Sequence, residues 1–271
     1  GEAKSTFVSL FFVLWAVLTG RKHYILIIAD ALEQAASLLG AVKDELEFNE
    51  ALKRDFPGAG KGHVWNVGTV VTPGNVKIQA LGAGKRMRGL RHGPHRPDLI
   101  VLDDLENDGN VDKPEQRDKL QSWLQKTVLN LGAADGSMDV VYVGTLLHYD
   151  SVLARTLRKP LWKARTFRSI LRWPDRMDLW DEWESLLSSR GEAEARRFYR
   201  QHRVKMEAGA EVSWPASRPL YRLMCLRTED REAFDSEQQN DPLSANEAPF
   251  NGCITFWVDR SRDWLLFGAV D

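Results

Sequence analysis

The sequence predicts an α/β fold in which helices flank a mainly parallel central sheet and a helical subdomain follows. Three observations carry this prediction. Short apolar runs recur along residues 23–145, amphipathic stretches separate them, and after about residue 175 the chain becomes charged and helical. Strands that alternate with helices favour a parallel sheet covered on both faces. We therefore expect an α/β core in residues 1–175 and a helical subdomain in residues 176–258.

The first elements can be assigned in chain order. The apolar run 7–18 is too short to span a membrane, which takes about 20 residues, and no signal-peptide cleavage site follows it. It predicts a buried helix. Residues 23–30 (HYILIIAD) have the continuous apolar character of a buried strand. Residues 30–48 predict an amphipathic helix, and Asp30 and Glu33 have the spacing of a capping box at its start.

The later elements follow the same patterns. Residues 68–84 predict a hairpin that turns at a Pro-Gly-Asn sequence. Residues 97–104 and 138–145 predict two further buried strands, and an amphipathic helix begins after Pro114 between them. In the second half, the charged helical stretches are 177–209 and 229–244, with Pro242 expected to stop the second, and a new apolar strand begins near residue 263.

Composition limits the kinds of function. The formal net charge is −1, so no overall positive field attracts nucleic acid, and a DNA contact would need a local basic patch. The two cysteines have no metal-ligand spacing, and His92 and His95 have no third ligand nearby, so a zinc site is disfavoured. A reducing compartment is expected. A local cluster of arginines lies in a glycine-rich loop and comprises Arg86, Arg88, Arg91 and Arg96.

Two short motifs carry the chemistry expected of nucleotide hydrolysis. The reaction needs a lysine on the phosphates, a hydroxyl on Mg²⁺, a carboxylate at a strand tip to hold the metal, and a group that orients water. "GEAKST" offers Lys4 and Ser5, and the strand "LIVLD" ends at Asp103, the pattern of a Walker B motif. Asp104 and Glu106 follow and are both candidates for the residue that orients water.

Together these motifs predict a P-loop NTPase of the ASCE type that hydrolyses ATP with Mg²⁺. Ser5 and Asp103 would hold the metal. Thr145 ends the predicted strand 138–145 at the same edge of the sheet, where it can sense the terminal phosphate. A helix starting at Thr6 would direct its positive end to the phosphates. The residues expected to contact the nucleotide are Gly1, Glu2, Ala3, Lys4, Ser5, Thr6 and Thr145.

The ordered set of motifs resembles the large terminase subunit of tailed bacteriophages and Mu-like prophages. The motifs are "GEAKST", "ALGAGKRMRG", "RPDLIVLDDLEND", "VYVGTLLHYDSVL" and "FDSEQQNDPLS", and the resemblance covers essentially the whole chain. It implies an ATP-driven DNA-packaging motor that moves double-stranded DNA into a procapsid. The implied partners are double-stranded DNA, the portal protein and the small terminase subunit, with a homo-oligomeric ring on the portal and no membrane. The implied location is the bacterial host cytoplasm and, transiently, the procapsid.

The resemblance also sets expectations about the ends of the chain and about Asp104. In this family a strand and further loop residues precede the P-loop lysine, so the chain is expected to start inside the motif, and Ala3 replaces a common glycine. Residues 259–271 resemble the first strand of an RNase H-like nuclease domain, in which Asp271 matches the first metal-binding acid. The family places its catalytic acid directly after the metal acid, which favours Asp104 over Glu106.

Arg88 is the arginine that we expect to act. In a ring, an arginine of one subunit can reach the nucleotide of the next and stabilise charge in the transition state. A contact to DNA phosphate and a local salt bridge are the alternatives for Arg88. For the whole chain, the alternatives are another P-loop nucleic-acid motor of the helicase kind and a non-enzymatic DNA-binding or assembly module.

Overall fold

A computed structural model describes residues 3–242 and shows an α/β architecture around a six-stranded, mostly parallel sheet. The strand order is β2-β3-β4-β1-β5-β6; β4, β1, β5 and β6 run parallel, while β3 is antiparallel to both β2 and β4. The predicted α/β class and mainly parallel sheet are therefore confirmed. The strands are β1 (Tyr24–Ala29), β2 (Val64–Trp65), β3 (Thr69–Val71), β4 (Lys77–Gly82), β5 (Leu99–Asp103) and β6 (Asp139–Val143).

Helices cover both faces of this sheet. Strand β1 is buried throughout, and its alternate residues contribute to two separate apolar clusters, one on each face. The first cluster includes residues of α1 and α2, and the second includes residues of α5 and α6. The helices are a π-helical segment Thr6–Phe12 that continues into α1 (Val13–Leu18), α2 (Leu32–Phe48), α3 (Glu50–Asp55), α4 (Asp108–Val111), α5 (Pro114–Lys126), a 3₁₀ turn Val128–Asn130 and α6 (Val152–Leu157).

Four local predictions can be compared with these elements. The hairpin is confirmed, with β3 and β4 paired across a turn in which Asn75 has a left-handed φ of 60°. The helix α5 begins at Pro114, as expected. The first apolar run is helical but only partly buried, since Phe7 and Phe11 are exposed. The predicted capping box is wrong, because Ala31 is the N-cap of α2 and makes no side-chain cap.

The second half of the described chain has a core of its own. A small antiparallel sheet pairs β7 with β8, and Trp180 and Trp183 are buried beside it, with the Trp180 indole donating to the Met206 carbonyl at 2.8 Å. Strand β7 belongs to this unit although it precedes residue 176. The elements are β7 (Ile170–Arg172), α7 (Met177–Arg190), α8 (Glu192–Glu207), β8 (Glu211–Val212), α9 (Leu220–Glu229) and α10 (Arg231–Glu237).

The end of the described chain differs from the expectation. Helix α10 stops at Glu237 instead of continuing to Pro242, because Asn240 adopts a left-handed φ of 50° and turns the chain. The strand expected near residue 263 lies outside the described residues. Within residues 3–242, the structure contains no helix with the length and apolar character needed to cross a membrane.

Candidate functional site

Lys4 joins the start of the chain to the loop after β6. Its ammonium donates to the Gly144 carbonyl at 3.0 Å and to the Thr145 hydroxyl at 2.7 Å, across a sequence separation of about 140 residues. Ala3, immediately before it, has a φ of 57°. Glycine adopts a positive φ without the steric cost of a Cβ atom, so a glycine at position 3 would be less strained than Ala3. The structure therefore brings Lys4 and Thr145 together.

Asp103 ends β5 and receives hydrogen bonds from two serines of the first helical segment. The Ser5 hydroxyl donates to Oδ1 at 2.9 Å, and the buried Ser9 hydroxyl donates to Oδ2. Asp103 itself is 1% exposed, and burial raises the pKa of its carboxyl despite these donors. The role of Ser9 was not predicted from the sequence. Its four-residue spacing from Ser5 could have indicated that role, because this spacing places both hydroxyls on one side of a helix.

Asp104 lies where the strand ends. Its φ of 44° breaks the extended conformation of β5 directly after Asp103. Its amide donates to the Val143 carbonyl at 3.1 Å. A Cβ atom on Gly144 would lie 3.3 Å from the Asp104 Oδ1, so glycine leaves room for this carboxylate. Within residues 3–242, the Asp104 carboxylate makes no hydrogen bond and is free to hold a ligand.

Glu106 is engaged in the structure instead. Its two carboxylate oxygens accept the amide protons of Val152 and Leu153 at 2.8 and 3.1 Å, at the start of α6, where Ser151 also caps the helix. Burial raises the pKa of Glu106 in spite of these donors. The Tyr142 hydroxyl is close by, and its pKa is raised by burial and by the neighbouring carboxylates. Glu106 thus fixes α6 against the loop after β5.

Asp30 is a further acidic residue at this edge that sequence reasoning assigned to a helix cap. It follows β1, and its carboxylate accepts hydrogen bonds from the side-chain amides of Asn107 and Asn110, the latter at 3.1 Å. Its backbone amide donates to the Asp104 carbonyl at 3.1 Å. The carboxyl ends of β1 and β5 are adjacent in the sheet, and this adjacency is the signal that could have placed Asp30 here.

These groups surround a cleft of about 550 Å³ at the carboxyl edge of the sheet. The cleft is strongly acidic, since Lys4 is the one cationic side chain among its lining residues. An apolar pocket of about 460 Å³ adjoins it and shares Lys4 and Thr145. The predicted nucleotide contacts Ala3, Ser5 and Thr6 also line the cleft. Its acidic lining residues are Asp30, Asp104, Glu106, Asp108 and Glu237.

Arg88 lies outside the set of residues that line this cleft. Its loop leaves the carboxyl end of β4, is held by the Trp123 indole donating to the Lys85 carbonyl at 2.9 Å, and buries Met87 on the sheet. It then reaches the opposite edge, where His92 contacts Asn75. Arg88 is exposed and has no hydrogen bond or ion pair to any residue between 3 and 242. The predicted site residues Gly1, Glu2 and Asp271 lie outside the described residues.

Two comparisons bear on this site. A scan against models of protein families finds no match, and a search of curated proteins finds none either. The described residues contain no group of three or more histidine, cysteine or acidic side chains arranged to hold a metal ion by themselves.

Proposed function

We propose that this chain is a P-loop ATPase of the ASCE type that hydrolyses ATP with Mg²⁺. The observation that carries the proposal is the convergence of Lys4 on Thr145 and of Ser5 on Asp103 at one edge of a parallel sheet. A lysine, a hydroxyl and a strand-end carboxylate are three of the protein groups that nucleoside triphosphate hydrolysis requires. Lys4 lies within hydrogen-bond distance of Thr145, and Ser5 lies within hydrogen-bond distance of Asp103.

The charge of the cleft fits a metal-bound nucleotide better than a free one. A triphosphate alone would meet five carboxylates and a single lysine, and like charges in a partly buried cleft repel. Mg²⁺ prefers one or two carboxylates together with substrate phosphates rather than a cage of protein ligands. Ser5 and Asp103 would hold it, and the metal would neutralise charge that develops on the phosphate oxygens. The absence of a preformed cage in the described residues agrees with such a site.

The residues of the cleft have separate roles in this proposal. Lys4 binds the phosphates, and Thr145, which accepts its hydrogen bond, responds to the terminal phosphate. Ser9 fixes the orientation of the Asp103 carboxylate. Asp104 orients the attacking water and accepts its proton, because its carboxylate is free whereas that of Glu106 is bound to α6.

We further propose that the ATPase is the motor of a terminase large subunit. The resemblance of its motifs supports this, together with the exposed arginine loop, which offers phosphate contacts on a chain of net charge −1. The substrate would be double-stranded DNA entering a procapsid, and the partners a portal protein, a small terminase subunit and other copies of the chain in a ring. The location would be the bacterial host cytoplasm and the procapsid.

Equilibrium binding of ATP with Mg²⁺, followed by phosphate release, tests the ATPase. Lys4→Ala should weaken binding by about tenfold or more and remove hydrolysis, since a lysine on phosphate contributes a charge-assisted hydrogen bond. Lys22→Ala is the matched control, because Lys22 also donates to backbone carbonyls, those of Asp98 and Ser137, but at the opposite edge of the sheet. It should leave binding unchanged. Equal binding by the wild type and Lys4→Ala would contradict the proposal and favour a non-enzymatic module.

Stimulation by nucleic acid tests the motor. Double-stranded DNA should accelerate hydrolysis by the wild type, and single-stranded DNA should do so much less. The reverse preference would indicate a helicase-like motor instead.

A further inference from the structure

The turn that follows α10 joins the second unit to the candidate site. It comprises residues 238–241, part of the motif "FDSEQQNDPLS". Glu237, directly before it, lines both the acidic cleft and the adjoining pocket. The turn thus reaches the site from the side of the helical unit, although none of its residues has been given a role.

Asn240 makes the contact with the site. Its side-chain oxygen accepts the amide proton of Leu146 at 3.1 Å, and its side-chain nitrogen donates to the Phe167 carbonyl at 2.8 Å. Leu146 directly follows Thr145, whose hydroxyl accepts the hydrogen bond of Lys4. A single peptide bond therefore separates the residue that contacts Lys4 from the residue that contacts Asn240.

The rest of the turn is attached to the helical unit. The backbone carbonyl of Gln238 accepts the Ser169 amide proton at 2.8 Å, and the side-chain oxygen of Gln238 accepts a hydrogen bond from the guanidinium of Arg218. The buried Gln239 amide faces the backbone of Ile170, at 3.3 Å from its nitrogen and 3.2 Å from its oxygen. Ile170 and Phe234 belong to the apolar core of that unit. Residues 238 and 239 are therefore fixed to the unit.

We propose that Asn240 is a positioning residue that couples the nucleotide state at Thr145 to the helical unit. The inference rests on the proposed ATPase function and assigns to that site its link with the second unit. When the terminal phosphate is lost, a change at Thr145 displaces the amide of Leu146. That amide donates to Asn240, and Asn240 belongs to the turn 238–241, which is also bound to the helical unit. The coupling requires two arrangements of the loop after β6 that the nucleotide and the helical unit both bias.

Asn240→Gly is the variant that tests this role. It removes both side-chain contacts but suits the left-handed backbone, because glycine adopts positive φ without steric cost. Asn75→Gly is the matched control, since Asn75 also has a positive φ but lies in the β3–β4 hairpin at the opposite edge. We expect kcat to fall about tenfold in Asn240→Gly with KM for ATP unchanged, and neither constant to change in the control.

Hydrogen exchange of the full chain, with and without a non-hydrolysable ATP analogue, reads the coupling directly. In the wild type, the analogue should slow exchange in residues 144–147 and also in 166–172. In Asn240→Gly, the analogue should still slow exchange in residues 144–147 but should no longer slow it in 166–172. Asn240→Asp keeps the oxygen that accepts the Leu146 amide proton, so the analogue should still slow exchange in residues 166–172.

The outcomes separate the two proposals. A wild type without protection at 144–147 would contradict the ATPase and this inference together. Protection of both segments in Asn240→Gly would overturn the inference alone. Loss of protection in residues 166–172 in Asn240→Asp would also overturn it, because the Leu146 hydrogen bond would then not be the link.

Discussion

Two sets of acidic side chains in this molecule are held in opposite ways. At the carboxyl edge of the sheet, beside or lining the cleft, Asp103 and Glu106 are bound by hydroxyl and backbone donors, and burial raises both pKa values. On the loop after β6, Asp150 is bound by the guanidinium of Arg155, with Arg117 also in contact, and its pKa falls to about 2. The first set is short of positive charge, whereas the second is compensated. Uncompensated buried acids are typical of sites that bind a charged ligand.

The difference separates function from stability within one edge of the fold. Asp150 and its arginines connect the loop before α6 with α5, since Arg155 also contacts Asp118. The nearly buried Arg117 donates in addition to the Val111 carbonyl. This network holds the elements on which the cleft depends. Changes in the cleft should therefore alter activity more than stability, and changes in the network should do the reverse.

The largest effect is expected at Asp104. Replacing it with asparagine should lower ATP hydrolysis by about 10²–10⁴-fold, the usual contribution of a general base, while nucleotide binding persists. Single-turnover hydrolysis and equilibrium titration measure the two quantities. Glu106→Gln is the comparison, and it should weaken the start of α6 while retaining more activity. Full hydrolysis in Asp104→Asn with loss in Glu106→Gln would reverse the assignment.

This assignment shows how far the sequence determines the site. Continuous apolar runs predict β1, β5 and β6 because a fully buried strand leaves no alternation to interpret. Lys4, Ser5 and Asp103 follow from motif spacing. The binding of Glu106 to α6 could not be predicted, because the bond depends on where two loops meet in space. The same is true of Asp30, whose local spacing indicated a helix cap.

The helical unit shows the same limit. Its buried tryptophans indicate packing, but α9 was not predicted, since Pro219 precedes it and its apolar residues form a short segment. The end of α10 depends on the left-handed conformation of Asn240, which is fixed by bonds to residues 146 and 167. Local patterns therefore predict where elements begin better than where a distant contact ends them.

The second prediction concerns the compensated acid. Asp150→Asn should destabilise the fold by about 1–2 kcal/mol at neutral pH, a value reduced for the partial exposure of the pair. Hydrolysis should remain close to wild type. Urea unfolding measures the stability. Asp178→Asn is the control, because its partner Arg176 holds it in a similar way but on the surface of the helical unit. It should show no measurable change.

The third prediction uses pH to distinguish the two sets. Since the folded pKa of Asp150 is lowered, its stabilisation is present above the unfolded value near 3.9 and is lost as the pH falls through about 2. The folded pKa of Asp103 is raised, so its burial increasingly destabilises the fold as the pH rises above the unfolded value near 3.9. Asp103→Asn should therefore be at least as stable as the wild type at pH 7.

The same urea titrations, repeated between pH 7 and pH 4, check the sign. The stability advantage of Asp103→Asn should narrow as the pH decreases, because the wild-type carboxyl becomes neutral. Asp150→Asn should keep its deficit over the same range. A deficit of Asp103→Asn that is constant with pH would show that the hydrogen bonds of Ser5 and Ser9 outweigh the burial of charge.

The smallest effect on binding is expected at Arg88, which is a cation without a partner in the described part of the chain, in contrast to Arg155. If Arg88 contacts DNA phosphate, Arg88→Ala should weaken DNA binding a few-fold and reduce the slope of log affinity against log salt by about one. If it acts between subunits, DNA affinity should be unchanged, and hydrolysis should fall about 10³-fold or more in the assembled motor only.

Arg176→Ala provides the baseline for Arg88, because it removes an exposed arginine whose charge is already paired with Asp178. A paired arginine releases few counterions when DNA binds, so this variant should leave both the salt slope and the hydrolysis unchanged. Arg88 has a role of its own only if the salt slope or the hydrolysis rate of Arg88→Ala differs from that of Arg176→Ala. Equal salt slopes and equal hydrolysis in the two variants would mean that Arg88 contacts neither DNA nor a neighbouring nucleotide. The positive charge that the cleft lacks would then have to come from the metal and Lys4 alone.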